Sequence, residues 1–191
     1  MRDEFADLVE EGFDLAIRIG ELGETGLVAR LIGTTRRVTV AAPAYLAARG
    51  TPEHPHELAQ HDCVLFTRLS GGTVWHFDGP SGALSVPVNG RLRSNNSDAV
   101  RSGALNALGV AILPTWHFAQ DIESAGLTRI LLAYEPKPLP IHAVYASRRH
   151  LAPKVRALID FLVDEFARHP TLAPQTNVNA RKVGQADQLM S

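Results

Sequence analysis

The 191-residue chain reads as an α/β protein, and three features predict that class. Strand-like and helix-like periods alternate along its length. The stretch Gly90 to Pro114 is a complete strand, polar cap, amphipathic helix and apolar strand. Near the end, a strand from Ile141 to Ser147 leads into a helix from Ala152 to Arg168 with Val155, Leu158, Ile159, Leu162 and Phe166 on one face and Pro153 near its start. With 45% hydrophobic residues, the chain can bury a sizeable core as one domain or two small subdomains.

In order, Asp3 to Glu11 predicts a short helix, with Phe5, Leu8 and Val9 at helical spacing and Gly12 as its stop. Phe13 to Ile19 alternates as a strand. Leu27 to Ile32 and Arg37 to Ala42 are strands around a Gly33-Thr-Thr-Arg turn. Pro43 opens a helix where its missing N–H costs nothing, and Gly50 closes it. A loop bearing proline and histidine, with one helical turn, leads to a strand at Val64 to Thr67. Beyond it the glycine-rich stretch around Val74-Trp-His-Phe and the short strands Leu84 to Val88 and Arg91 to Ser94 predict a smaller, more antiparallel subdomain.

In the helix that follows, Val100, Ala104, Ala107 and Leu108 form the apolar face, with Asn95 as N-cap, Asp98 three residues on, and Gly109 as the left-handed stop. Val110-Ala-Ile-Leu is an apolar strand. Thr115 to Ser124 reads as helix and Leu127 to Leu132 as strand, and the prolines after Tyr134 stiffen an extended connection. Thr171 to Ser191, without a period and with few large apolar residues, reads as a disordered tail.

The net charge of −1 and pI near 6.7 argue against a whole-chain footprint for nucleic acid or an anionic membrane. Cys63 is the single cysteine, so no intramolecular disulfide forms and a reducing compartment is expected. The acidic start lacks the apolar region of a signal peptide, and no run of about 18 apolar residues occurs. A cytoplasmic location is therefore expected. There is no nucleophile elbow, metalloprotease pair, phosphate-binding loop or dinucleotide fingerprint, so neither an enzyme, a catalytic residue nor a cofactor is expected.

A strand feeding a helix through Asn95-Asn-Ser-Asp points backbone N–H groups at one spot, where the helix dipole adds positive potential suited to a carboxylate or phosphate. The plainer reading is a cap and nothing more. Arg18 ends an apolar strand, where open α/β sheets place ligands, and reaches either a carboxylate or a neighbour such as Glu21. His54, His56, His61 and Cys63 are zinc-ligand types, but their spacing matches no standard structural site, so no metal is expected. Trp75 and Trp116 read as core or cleft wall, because no basic groove accompanies them.

Taken together, DLVEEGFDLAIRIG from Asp7, RRVTVAAPAYLAARGTP from Arg36, HPHELAQHDCVLF from His54, VNGRLRSNNSDAVRSGALNALGVAILPTW from Val88 and AVYASRRHLAPKVRALIDFLVDEF from Ala143 resemble the effector-binding domain of LysR-type transcriptional regulators, in its CrgA-like branch. The resemblance covers nearly everything from Asp3 to Arg168. It implies a two-subdomain fold like the type 2 periplasmic binding proteins, with residues 1–66 plus 141–170 as the first lobe, 67–140 as the second, crossings near Phe66 and Pro140, and 171–191 as tail. A small inducer, anionic or aromatic, is then expected in the cleft, with Asn95, Asn96 and Ser97 at the cleft-facing helix end and Arg18 and Tyr145 as further contacts.

Compared with the family, the sequence lacks the winged helix-turn-helix, the linker helix and the first strand and helix of the effector domain. The first lobe is thus expected to be incomplete, and the chain alone not to bind operator DNA. Homo-oligomers, or pairing with a full-length regulator subunit, are implied through Arg91 to Ser94 and Asp98 to Leu108. Two other functions stay open: a solute-binding receptor of the same fold, and a truncated regulator acting only through association.

Overall fold

The structure is a computed structural model that describes residues 13–22, 26–68, 72–146, 151–169 and 171–173. In chain order its elements are β1 (Ala16–Ile19), β2 (Val28–Thr35), β3 (Arg37–Ala41), α1 (Pro43–Arg49), β4 (Asp62–Phe66), β5 (Val74–Gly79), β6 (Gly82–Pro87), β7 (Asn89–Ser94), α2 (Ser97–Leu105), β8 (Val110–Pro114), α3 (Ala119–Glu123), β9 (Thr128–Ile130), β10 (Leu139–Tyr145) and α4 (Pro153–Arg168). Short 3-10 turns occupy Pro55–Gln60, Thr115–His117 and Leu132–Tyr134. The expected helix Asp3 to Glu11 lies outside the described residues, as does the expected tail beyond 173.

The chain divides into two compact units, one running from Thr35 to Leu139, the other formed by the described residues up to Thr34 and from Pro140 onward. This corrects the expected lobe boundary at Phe66. β3 hydrogen-bonds to β8 and β9, and β4 lies between β7 and β8, so these ladders tie residues 35–66 into the second unit. The other crossing, expected near Pro140, falls at Leu139–Pro140.

The second unit is built on a five-stranded sheet in the order β7-β4-β8-β3-β9, in which β7, β4 and β8 run parallel and β3 antiparallel to β8. Burial follows position. The inner strands β4 and β8 are continuous apolar runs, whereas edge strand β7 alternates and turns Leu92 inward. The core is filled by Val38, Val40, Leu58, Leu65, Val100, Ile112, Leu113 and Phe118, and the β5–β6 hairpin adds Trp75, Phe77 and Val86. Each such side chain contributes about 1.5–3 kcal/mol when fully buried.

The start of β4 fixes two glycines by close approach. A Cβ on Gly90 would lie 1.5 Å from the Cys63 carbonyl oxygen, and one on Gly109 would lie 2.2 Å from that of Asp62. At Gly90 the crowding sits where the β4–β7 register shifts, between Asp62 and Val64, and at Gly109 where β8 begins beside Cys63. Gly109 answers both a positive φ, 157°, and this close approach, while the left-handed residue at the helix end itself is Ala107, at φ 56°. The Leu108 amide returning to the Gly103 carbonyl closes that helix end.

The first unit carries a three-stranded sheet in the order β1-β10-β2, together with α4. β2 runs straight through Gly33, Thr34 and Thr35, where a turn was expected, and β1 begins at Ala16 rather than Phe13. Gly33 packs against Phe166, and the Thr34 amide donates to the Leu172 carbonyl at 3.0 Å. Residues 171–173, expected as the start of the tail, are thus tied to β2. On α4, Val155 and Ile159 are buried one turn apart, while Leu158 and Phe161 are exposed. Phe13, Ile17, Ile19 and Leu31 of the same unit are exposed as well.

Candidate functional site

The three parallel strands of the second unit end at one edge of its sheet, at Ser94, Phe66 and Pro114, and β3 begins there with Arg37 opposite Pro114. Open α/β sheets hold ligands outside this carboxyl edge. Four short segments meet at it: Arg36-Arg37, Phe66-Thr67-Arg68, Ser94 to Ser97 leading into α2, and Thr115–His117. Backbone bonds pin them in two pairs, the Thr67 amide to the Ser94 carbonyl at 2.8 Å and the Thr115 amide to the Arg36 carbonyl at 2.9 Å.

The helix cap is Asn96, one residue later than the expected Asn95. Its Oδ1 accepts from the Asp98 amide at 2.8 Å and the Ala99 amide at 3.1 Å, while its own amide donates to the Ser94 hydroxyl at 3.0 Å. The Ser94 bond holds Asn96 extended, at φ −105° and ψ 122°, as an N-cap requires. The amides of Asn96 and Asp98, expected to be open to an anion, are therefore occupied. What remains for a ligand is the Ser97 amide, the Ser97 hydroxyl and the Asn95 side chain, none of which has a hydrogen-bond partner among the described residues.

Sequence reasoning missed the rest of this edge. Arg37 is half-buried and its Nε has no partner among the described residues; burial lowers its pKa, yet a guanidinium stays charged. His117 is pushed down by burial, with the Asp98 charge pulling the other way. Arg68 is exposed at the end of β4. Two signals were there to read: paired arginines opening an apolar strand, and Thr-Trp-His directly after the proline that ends β8.

Arg101 and Asp121 hold α2 in place. The guanidinium donates through Nε and Nη2, each at 2.5 Å, to the carboxylate of Asp121, a residue only 6% exposed. The Asp121 carbonyl accepts from the Gly126 and Leu127 amides, which fixes the pair to the turn after α3.

Arg18 and Tyr145 lie in the first unit, on β1 and β10. Arg18 stands opposite His142, and Tyr145 is three positions further along β10, so strand alternation puts the two on opposite faces of that sheet. Tyr145 is buried, at 7% exposure, and Arg18 is half-buried. Asn95, Asn96 and Ser97 stand together at the start of α2 in the second unit, and Arg18 and Tyr145 belong to the first.

The histidines have local structural tasks. His54 Nδ1 accepts from the His56 amide and Glu57 accepts from the His54 amide, capping the 3-10 turn. His61 meets the Tyr45 hydroxyl at 3.0 Å. Among the described residues no three His, Cys, Asp or Glu side chains gather as a metal set, and no helix is long and apolar enough to cross a membrane. Cys63 is buried, and burial pushes its thiol up to about 12.

Comparison with known proteins identifies the framework. The profile of the LysR substrate binding domain matches residues 1–167. The transcriptional regulator PtxR of Pseudomonas aeruginosa is 36% identical over 168 residues, covering 88% of this chain and 54% of PtxR. DmlR of Escherichia coli is 35% identical over 170 residues, covering 88% and 55%. The chain thus spans about half the length of the curated relatives it matches. The structure of the CrgA regulatory domain, a LysR-type regulator from Neisseria meningitidis, superposes with a TM-score of 0.72 at 31% identity, over 86% of this chain and 80% of that one. Sequence, segment order and fold agree, and the chain belongs to the LysR substrate-binding-domain family of transcriptional regulators, with its periplasmic-binding-protein-like α/β fold.

Proposed function

We propose that the chain is the effector-sensing part of a LysR-type regulator and takes a small organic anion, aliphatic or aromatic, at the carboxyl edge of the second unit's sheet. One observation carries the reading: at that edge the start of α2 leaves the Ser97 amide and hydroxyl without a partner among the described residues, and β3 begins at the same edge with Arg37, whose Nε is likewise unpartnered among them. A positive helix end, a guanidinium and small donors suit a carboxylate. Binding that favours one of two global states of an intact regulator is what makes such a domain a switch.

The test is a thermal-shift and calorimetric panel of acetate, succinate, benzoate and phenylacetate on the wild-type chain and on Ser97→Ala, Arg37→Met and Arg18→Ala. At least one anion should bind saturably, and Ser97→Ala should weaken it by about one hydrogen bond, ~1 kcal/mol or fivefold. Arg18→Ala tests the first unit's share. No saturable binding, or binding indifferent to Ser97 and Arg37, would remove the proposal.

A second reading, function through association with itself or with a full-length regulator subunit, is favoured by the exposed Phe13, Ile17, Ile19, Leu31, Leu158 and Phe161 of the first unit. Apolar side chains concentrated in one small unit mark an interaction surface. Light scattering over a concentration series decides it: a strict monomer at high concentration counts against this reading.

A further inference from the structure

At the opposite edge of the same sheet, where β4 and β7 begin, lies an open groove of about 520 Å³ between α1 and the turn that follows α2. Its walls are mostly apolar: the Tyr45 ring, Ala48 and the exposed Leu108. Small side chains on α1 are what leave the space open, since a larger residue at Ala48 would fill it. Three charges border it, Arg49, Arg91 and Asp62, so cations outnumber carboxylates two to one.

The polar groups divide into spent and open. The Tyr45 hydroxyl accepts from the Asp62 amide at 3.0 Å and lies within bonding distance of His61 Nδ1, so its ring is a fixed wall. Arg49 donates one N–H to the Gln60 carbonyl at 3.1 Å and keeps the others. The Arg91 side chain makes no hydrogen bond or ion pair among the described residues, and the Asp62 carboxylate is not paired with either arginine. An unpaired guanidinium beside an apolar hollow matches a ligand that joins an apolar body to a single anionic group.

We propose that this groove is a second small-molecule site, for amphiphilic monocarboxylates, with the carboxylate on Arg91 and the apolar body along Ala48 and Leu108. It is separate from the carboxyl-edge site, being on the strands' other end, roughly 13 Å away by four residues of strand rise. It therefore stands or falls independently of the effector reading.

The experiment uses the full chain and 2-naphthoate as probe, followed by calorimetry and by amide chemical shifts. Saturable shifts are expected at the amides around Ala48, Arg91 and Leu108, with an affinity weakened at least tenfold by Arg91→Ala and by Arg91→Glu and likewise by Ala48→Trp, whatever is seen around Ser97. Arg91 and Ala48 are exposed, so these variants should keep the wild-type unfolding midpoint. Absence of saturable shifts at these amides overturns the proposal, as do shifts there that survive both Arg91 variants and Ala48→Trp, or shifts confined to Ser97, Arg37 and Thr115–His117. A self-association of the chain that disappears in Arg91→Glu while 2-naphthoate fails to bind would also overturn it, assigning the groove to a second copy.

Discussion

Replacing Asn96 separates the cap from the ligand site. Its Oδ1 holds two amides, at 2.8 and 3.1 Å, on an exposed turn. Asn96→Ala frees both, but water reaches them, so the cost is the usual cap value of about 1 kcal/mol rather than that of two buried donors. For a chain of this size that lowers the unfolding midpoint by about 2–4 °C. Asn95→Ala, which removes no hydrogen bond, should stay within about 0.5 kcal/mol. Asn96→Asp keeps the acceptor and places a negative charge at the helix N-terminus, holding or raising stability by a few tenths of a kcal/mol. The same charge repels an anion at Ser97, so stability should hold while anion affinity falls at least tenfold. Urea unfolding of the four proteins, with calorimetry on the most strongly bound anion, reads both effects. The reasoning is refuted if Asn95→Ala costs as much as Asn96→Ala, or if Asn96→Asp binds anions as well as wild type.

Three further outcomes follow from the geometry. Asp121→Ala strands Arg101 and should cost about 2–4 kcal/mol in urea unfolding, toward the lower part of the range for broken buried pairs because the Arg101 side chain is 35% exposed; a loss under 1 kcal/mol contradicts the clamp. His61 and His117 are both held below the ordinary histidine value of 6.5, mainly by burial. The unfolded chain then binds protons more readily, so stability is complete above about pH 6.5 and falls as pH drops through that value; a double His61→Gln, His117→Gln variant should flatten the profile between pH 7.5 and 5.5. Cys63, 1% exposed with its thiol pushed up to about 12, should resist iodoacetamide at pH 8 in the native chain and react at once in denaturant, and fast native labelling would contradict the packing.

Elements marked by period and punctuation were legible in the sequence. The Asn-Asn-Ser-Asp start of α2, Pro43 and Gly50 around α1, and the apolar stripe of α4 each carry their signal within a few residues. What depends on distant pairing was not. The lobe boundary was misplaced because nothing local in Arg37–Ala41 or Asp62–Phe66 shows that these strands pair with β8, β9 and β7. The cap was misplaced by one because Asn95 and Asn96 cap equally well by type, and the choice rests on the Ser94 hydroxyl. Gly109 was read as the left-handed stop; its φ is positive, at 157°, but the helix turns at Ala107, and the approach of the Asp62 carbonyl, which no local pattern shows, also excludes a Cβ. Of the site, the helix end was visible, whereas Arg37 and His117 reach the same edge only once the sheet is assembled. The groove was invisible for a different reason: it is made by alanines, which announce nothing.

The most direct test of the central claim is a two-dimensional amide-shift titration of the labelled chain with the best-binding anion of the panel. The account predicts saturable shifts concentrated at Ser97, Arg37 and Thr115–His117, with Asp98 and Ala99 moving less because Asn96 already holds them. Shifts confined to the Tyr45 and Arg91 groove, spread without pattern, or absent at saturating anion would contradict it.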